Sequence, residues 1–192
     1  MGEVSKDHAS GFIAIVGRPN VGKSTLLNRL LGQKVAIVSP KPQTTRNRIT
    51  GIRTLPHAQI VYVDTPGLHQ PRGKLGEFMV ATISQALEEV DGVVFVAEAP
   101  ESRVALDEGA LAALREVRAP VLLALNKVDL MPDKRQILPR LEAWAARYPF
   151  RELIPMSAST GEGVSRLEAA ILALLPAGPA FYPPDQDRKS VV

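Results

Sequence analysis

The order of segments along the chain predicts an α/β fold. It consists of a mostly parallel six-stranded sheet, helices on both faces, and one antiparallel edge strand. Three observations carry this. Short apolar runs alternate with segments of helical period over most of the 192 residues. A glycine-bounded loop, residues 17–24, joins the first apolar run to the first helical segment. Pro56-His57-Ala58 separates two strand-like runs closely enough for a hairpin, which supplies the antiparallel edge.

The first strand is Phe12-Ile-Ala-Ile-Val16, and the helix after the loop covers Thr25–Leu31. The loop between them reads GRPNVGKS, a phosphate-binding pattern of the form G-x-x-x-x-G-K-[S/T]. Gly17 and Gly22 let the backbone wrap a phosphate with no Cβ in the way. The helix starting near Lys23 adds its positive dipole end at the same place. Lys23 supplies a charge to the β- and γ-phosphates, and Ser24 a hydroxyl where Mg²⁺ would sit. The expected nucleotide contacts here are Gly17, Arg18, Pro19, Asn20, Val21, Gly22, Lys23, Ser24 and Thr25.

Thr44 and Thr45 lie in the loop before the strand Ile49–Leu55, and one of them could complete the Mg²⁺ shell. The strand Gln59–Val63 ends in Asp64-Thr65-Pro66-Gly67. Asp64 can hold Mg²⁺ through water, and the Gly67 N–H can reach a γ-phosphate. A helix around Leu75–Glu89, a strand at Gly92–Ala97 and a helix near Ala105–Arg118 follow. The loops 33–43 and 68–76 have few apolar anchors and are the expected switches.

The run Val121–Leu125 reads as a buried parallel strand and leads into Asn126-Lys127-Val128-Asp129. A carboxylate at Asp129 can accept from both the N1–H and the 2-amino group of guanine. Adenine would set a lone pair against it, and a buried unpaired acceptor discriminates strongly. The aliphatic stem of Lys127 is long enough to lie along the ring face. A helix near Asp133–Arg147 precedes the short strand Leu153–Pro155. Ser157-Ala158-Ser159 follows, with small side chains that let backbone amides approach the guanine O6. The last helix covers Val164–Leu175, and Pro176–Pro184 reads as an extended exit linker. The expected organisation is a tail over 1–10, a nucleotide-binding domain over 11–176 and a linker over 177–192.

Composition excludes several classes. There is no cysteine, so neither a disulfide framework nor thiol chemistry is available. No apolar run approaches the ~20 residues that cross a bilayer. Charge is uneven: His8–Val63 holds eight Lys or Arg and no acid, whereas the remainder from Asp64 is net acidic. The positive half suits a triphosphate and, as a second reading, an RNA backbone.

These motifs, in this order on strand ends, resemble the P-loop GTPases of the translation-factor-related class. The run KPQTTRNRI at 41–49, with DTPGLHQP at 64–71, is similar to the Era family of bacterial small-ribosomal-subunit assembly GTPases. The resemblance implies the P-loop GTPase fold, GTP or GDP with Mg²⁺ as ligands, and the small ribosomal subunit with its 16S rRNA as partners. It also implies an RNA-binding KH-type domain beyond the linker, outside these residues. A cytoplasmic location is expected, with peripheral association at the inner membrane as an added expectation. The alternative is another GTPase of the same class, acting in tRNA modification or large-subunit assembly. In related GTPases the metal-binding Thr precedes an Arg, which favours Thr45 over Thr44.

The catalytic set expected from the resemblance is Lys23, Thr45, Gly67 and Asn20. Many GTPases orient the attacking water with a Gln just after the DxxG motif. Here that residue is Leu68, which cannot hydrogen-bond water. Slow turnover without a partner or a second cation is therefore expected. Asn20 has two readings: a ligand for K⁺ beside the phosphates, or an Asx-type turn after Pro19.

Overall fold

The computed structural model describes residues 8–32, 48–64, 87, 89–100 and 108–183, with backbone only at 48, 49, 64, 108 and 109. Six strands occur among these residues: β1 Ala9–Val16, β2 Arg48–Leu55, β3 Ala58–Asp64, β4 Gly92–Glu98, β5 Val121–Asn126 and β6 Glu152–Pro155. They form one sheet in the order β2-β3-β1-β4-β5-β6. All neighbours pair in parallel except β2 with β3, which turn on Pro56 and His57. The mixed sheet with one antiparallel edge matches the expectation from sequence.

The described helices are α1 Lys23–Leu31, α2 Glu108–Arg115, α3 Ile137–Ala145 and α4 Val164–Leu172. Alternation along each strand divides the apolar side chains between two cores. Ile13, Ile15, Ile60, Tyr62, Val94 and Val96 pack with α1 and α4. Ala14, Val61, Val63, Val93, Phe95 and Leu123 pack with α2 and α3, where Trp144 meets Phe95 edge-on at 5.5 Å. β4 and β5 lie between neighbours with both faces covered, which is why they read as unbroken apolar runs. On the edge, the register of β2 shifts between Ile49 and Gly51. A Cβ at Gly51 would run into Leu31, so this glycine lets the edge strand close onto α1.

Three helices are shorter than their apolar pattern predicts, α2 among them, which ends at Arg115 and not near Arg118. The segment expected as one helix from Asp133 opens with a separate 3-10 turn, Lys134–Gln136. The Asp133 carboxylate caps that turn by accepting from the Arg135 amide at 3.0 Å. α4 stops at Leu172, yet Leu174 and Leu175 stay packed because the last carbonyls are met by tightened turns. Of the helix expected over 75–89 only Leu87 and Glu89 are described, both in turns, and both expected switch loops lie outside the described residues.

The segment after α4 runs back across the amino ends of the strands. Ala177 bridges Ala9, the Ser10 amide donates to Pro176 O, and the Gly178 amide donates to His8 O. Gln59, fully buried on β3, holds the segment further on. Its Oε1 accepts from the Phe181 and Tyr182 amides at 2.8 and 3.0 Å, and its Nε2 donates to Tyr182 O at 2.9 Å. Phe181 stacks on Phe12 with ring centroids 5.0 Å apart.

Candidate nucleotide-binding site

β1 lies between β3 and β4: the connection leaving β1 leads to β2 on one side, and the chain after β3 crosses to β4 on the other. The crevice above such a switch point, at the carboxyl ends of the strands, is where open α/β sheets take ligands. Residues 17–22 leave β1 into this crevice.

Their backbone is unusual in the way a phosphate cradle requires. Gly17, Asn20 and Gly22 have φ of 151°, 65° and 102°. A Cβ on Gly17 would strike the Val96 carbonyl, and one on Gly22 the Asn126 amide, so glycine is required at both for space as well as conformation. Val21 is buried in the core beneath and pins the loop. α1 starts at Lys23 with no side chain capping its first amides. Those donors, with the dipole behind them, face the loop interior. Lys23 Nζ donates to the carbonyls of Gly17 and Arg18 at 2.7 and 2.6 Å, which lays the ammonium across the loop. A cavity of about 110 Å³ opens beside it, lined among others by Lys23, Ser24, Thr50 and Tyr62.

The second half of the site is built on β5 and β6. Asn126, 2% exposed, joins the halves: its Nδ2 donates to Val21 O and its Oδ1 accepts from the Ala158 amide, both at 2.8 Å. Lys127 takes a left-handed φ of 65° at the turn that ends β5. Its ammonium donates to Asn20 O at 2.7 Å and pairs closely with Glu98 at the end of β4. The 3-10 turn Val128–Leu130 then presents Asp129 to solvent. The Ser157 hydroxyl, above all, holds the Asp129 carboxyl below its ordinary pKa. The Ser159 hydroxyl, 3.4 Å away, and the charge of Lys134 act in the same sense. The two serine hydroxyls lie 2.9 Å from each other, and the Thr160 amide donates to Ser157 Oγ. Asp129 is thus an ionised acceptor held by two hydroxyls.

The structure brings together Gly17, Arg18, Pro19, Asn20, Val21, Gly22, Lys23, Ser24 and Thr25 with Asn126, Lys127, Asp129, Ser157, Ala158 and Ser159. Asp64 ends β3, where its backbone pairs with Arg48, and its side chain lies outside the described residues. Thr44, Thr45, Thr65, Pro66 and Gly67 lie outside them as well. Asn20 contributes a left-handed turn and a carbonyl for Lys127.

Sequence reading missed Glu98 and Lys134. Lys134 Nζ donates to Val128 O at 2.7 Å and so braces the turn that carries Asp129. Glu98 had a usable signal, an acid directly after a fully apolar strand. Lys134 had none, because its partner is a backbone carbonyl.

The oxygen donors near Lys23 suit a hard cation. Among the described residues no cluster of three His, Cys, Asp or Glu forms a metal cage. Ser24, which lines the cavity beside Lys23, is a described hydroxyl that could serve as a ligand to such a cation.

Known proteins agree with this geometry. A family described as 50S ribosome-binding GTPase matches residues 12–127. The chain is 51% identical over 176 residues to GTPase Era of Geobacter metallireducens, covering 92% of this chain and 59% of that protein. Against GTPase Era of Lacticaseibacillus paracasei the identity is 48% over 181 residues, covering 94% and 60%. The chain thus spans about three fifths of the length of these curated relatives. Among solved structures, Era in complex with MgGDPNP and nucleotides 1506–1542 of 16S ribosomal RNA is similar with a TM-score of 0.74. Identity to it is 38%, over 93% of this chain and 61% of that one. A variant of Aquifex aeolicus Era bound to GDP·AlF4⁻ also gives 0.74, at 39% identity over 91% and 60%. With a phosphate cradle at the switch point and a braced carboxylate beside it, the chain belongs to the family of 50S ribosome-binding GTPases.

Proposed function

We infer that this chain is the GTP-binding and GTP-hydrolysing part of a molecular switch acting in assembly of the small ribosomal subunit. The observation that carries the reading is the exposed Asp129 carboxylate, which accepts from the Ser159 hydroxyl of the loop that Asn126 ties to Val21. An ionised bidentate acceptor suits the two donors of guanine and opposes adenine. A relative holding a GTP analogue and a 16S rRNA fragment supports the partner. The alternative, action in tRNA modification or on the large subunit, has the family description in its favour.

In this reading Asp129 takes the base, the stem of Lys127 lies along it, and the loop 157–159 supplies amides to O6. The amides of the loop and of the first turn of α1 surround the phosphates, with the Lys23 ammonium at the β/γ junction. Ser24, Thr45 and Asp64 would hold Mg²⁺, which neutralises charge developing on the transferred phosphoryl. Leu68 offers no hydrogen bond to water, so hydrolysis alone is slow and a partner supplies the missing orientation or charge. K⁺ held by the exposed Asn20 is the second candidate for that charge. Peripheral attachment at the inner membrane is a minor extension of the same reading.

The test is turnover of GTP and xanthosine triphosphate with and without small ribosomal subunits, in potassium and in sodium at equal ionic strength. GTP should be preferred, subunits should accelerate it, and Asp129→Asn should shift preference to xanthosine triphosphate. Unaltered base preference in the variant refutes the role of Asp129. No response to small subunits favours the alternative, and equal rates in the two salts remove potassium.

A further inference from the structure

Arg29 lies in the last turn of α1, the helix whose first turn faces the phosphates. Its side chain leaves its own helix and reaches a loop about 130 residues further along the sequence. Nε donates to Ala158 O and Nη2 to Ser159 O, each at 2.5 Å. A guanidinium meeting two successive carbonyls with two different nitrogens is a fork, and its planar geometry fixes orientation as well as distance.

Three further observations make this a fitted contact. Arg29 is anchored at its backbone, where its carbonyl accepts from the Gly32 amide that ends the helix, at 3.1 Å. Gly161, with φ of 95°, leaves the guanidinium room: a Cβ there would lie 2.9 Å from Arg29 Nη1. The two carbonyls it grips also belong to the stretch whose other groups carry the chemistry. The Ala158 amide holds Asn126, and the hydroxyls of Ser157 and Ser159 hold Asp129.

We propose that Arg29 is a positioning residue for guanine selection: it fixes the 157–159 loop against α1, and through the serines it aims the Asp129 carboxylate. The proposal rests on the reading of this site as a guanine-nucleotide site and deepens it. Asn126 joins the two halves at the loop after β1. The Lys127–Asn20 bond ties the turn after β5 there too, and Arg29 gives the 157–159 loop its own second tie, at the far end of α1. Between these two ties the base-binding loop cannot tilt relative to the phosphate cradle. Without Arg29 the loop keeps one tie and gains a hinge. The consequence falls on the contact most sensitive to angle, the pair of hydrogen bonds to the guanine N1–H and 2-amino group.

The discriminating measurement is the ratio of affinities for GDP and for inosine diphosphate, which lacks only the 2-amino group. Wild type should prefer GDP. In Arg29→Ala the preference should fall by about tenfold, the worth of one well-aligned hydrogen bond to a charged group. Arg29→Lys, which keeps one donor, should recover part of it. A purely structural role would weaken both nucleotides alike and leave the ratio unchanged, and that result overturns the proposal. If Arg29→Ala does not fold, Arg29→Lys and Arg29→Gln are read by the same ratio, and a wild-type ratio in both overturns it equally. A wild type that does not distinguish GDP from inosine diphosphate refutes the assignment of Asp129 itself. That failure appears before any variant is compared.

Discussion

The two halves of the site are held in order by different means. The phosphate half is a short continuous stretch, Gly17–Ser24, whose shape comes from left-handed backbone, missing side chains and the start of a helix. The base half is assembled from four pieces of chain. Its shape comes from side chains reaching far along the sequence: Asn126 to Val21, Lys127 to Glu98 and Asn20, and Arg29 to residues 158 and 159. The first half depends on conformations that few residues can adopt. The second depends on pairs, and each pair is a place where the halves can be uncoupled.

The largest effect is expected where both halves share one residue. Asn126→Ala leaves the buried Val21 carbonyl and Ala158 amide without their partner, at about 1–3 kcal/mol for each group. Thermal unfolding should show a loss of roughly 2–5 kcal/mol. Affinity should fall by at least about tenfold for every nucleotide tried. A variant that loses guanine preference but keeps overall affinity would show that the halves are not joined through Asn126.

A control far from the site sharpens the contrast. Gln59→Leu removes the buried amide that grips Phe181 and Tyr182 at the opposite end of β3. Stability should drop by about 1–3 kcal/mol in denaturant titration. GDP affinity should stay at the wild-type value, and a change in it would mean that the two ends of the sheet are coupled.

The smallest effect concerns the charge on Asp129. Its pKa in the folded chain is lowered, so the carboxylate form is present above the ordinary carboxyl value. That form is lost only as pH falls through the lowered pKa. Ser157→Ala removes the largest cause, so protonation should begin at higher pH than in wild type. A carbon-13 NMR titration of the Asp129 carboxyl reads this directly. An unmoved midpoint would assign the depression to Ser159 and Lys134 instead.

The contrast between the halves also sets how much could be read from the chain alone. The strands and the one antiparallel edge were legible because each strand is an apolar run ending in a recognisable loop, and Pro56-His57 marks the one reversal. The phosphate loop was legible because its constraint is local: a Gly at 17 and at 22 is needed whatever lies elsewhere. Asp129 was legible by spacing. Arg29 was not, because an arginine on a helix surface looks the same whether it faces solvent or two distant carbonyls. Lys134 was hidden for the same reason, since its partner is a backbone carbonyl. The end of α4 at Leu172 was hidden because Leu174 and Leu175 keep the apolar pattern while leaving the helix, to pack against Gly92 and Gly11.

The grip of Gln59 on the exit segment has a mechanical side. Beyond Tyr182 a pull on the chain would reach the sheet at the first turn-side residues of β3, through bonds to two successive residues of the segment. β3 is hydrogen-bonded on both flanks, to β1 over six paired positions and to β2 over its antiparallel ladder. Tension applied at Gln59 would therefore load two ladders in shear, where many bonds share the force, and peel neither strand away. The far end of the same strand is Asp64. A tether placed there makes β3 a stiff member, with a grip at its base and the carboxyl-end crevice of the sheet at its tip.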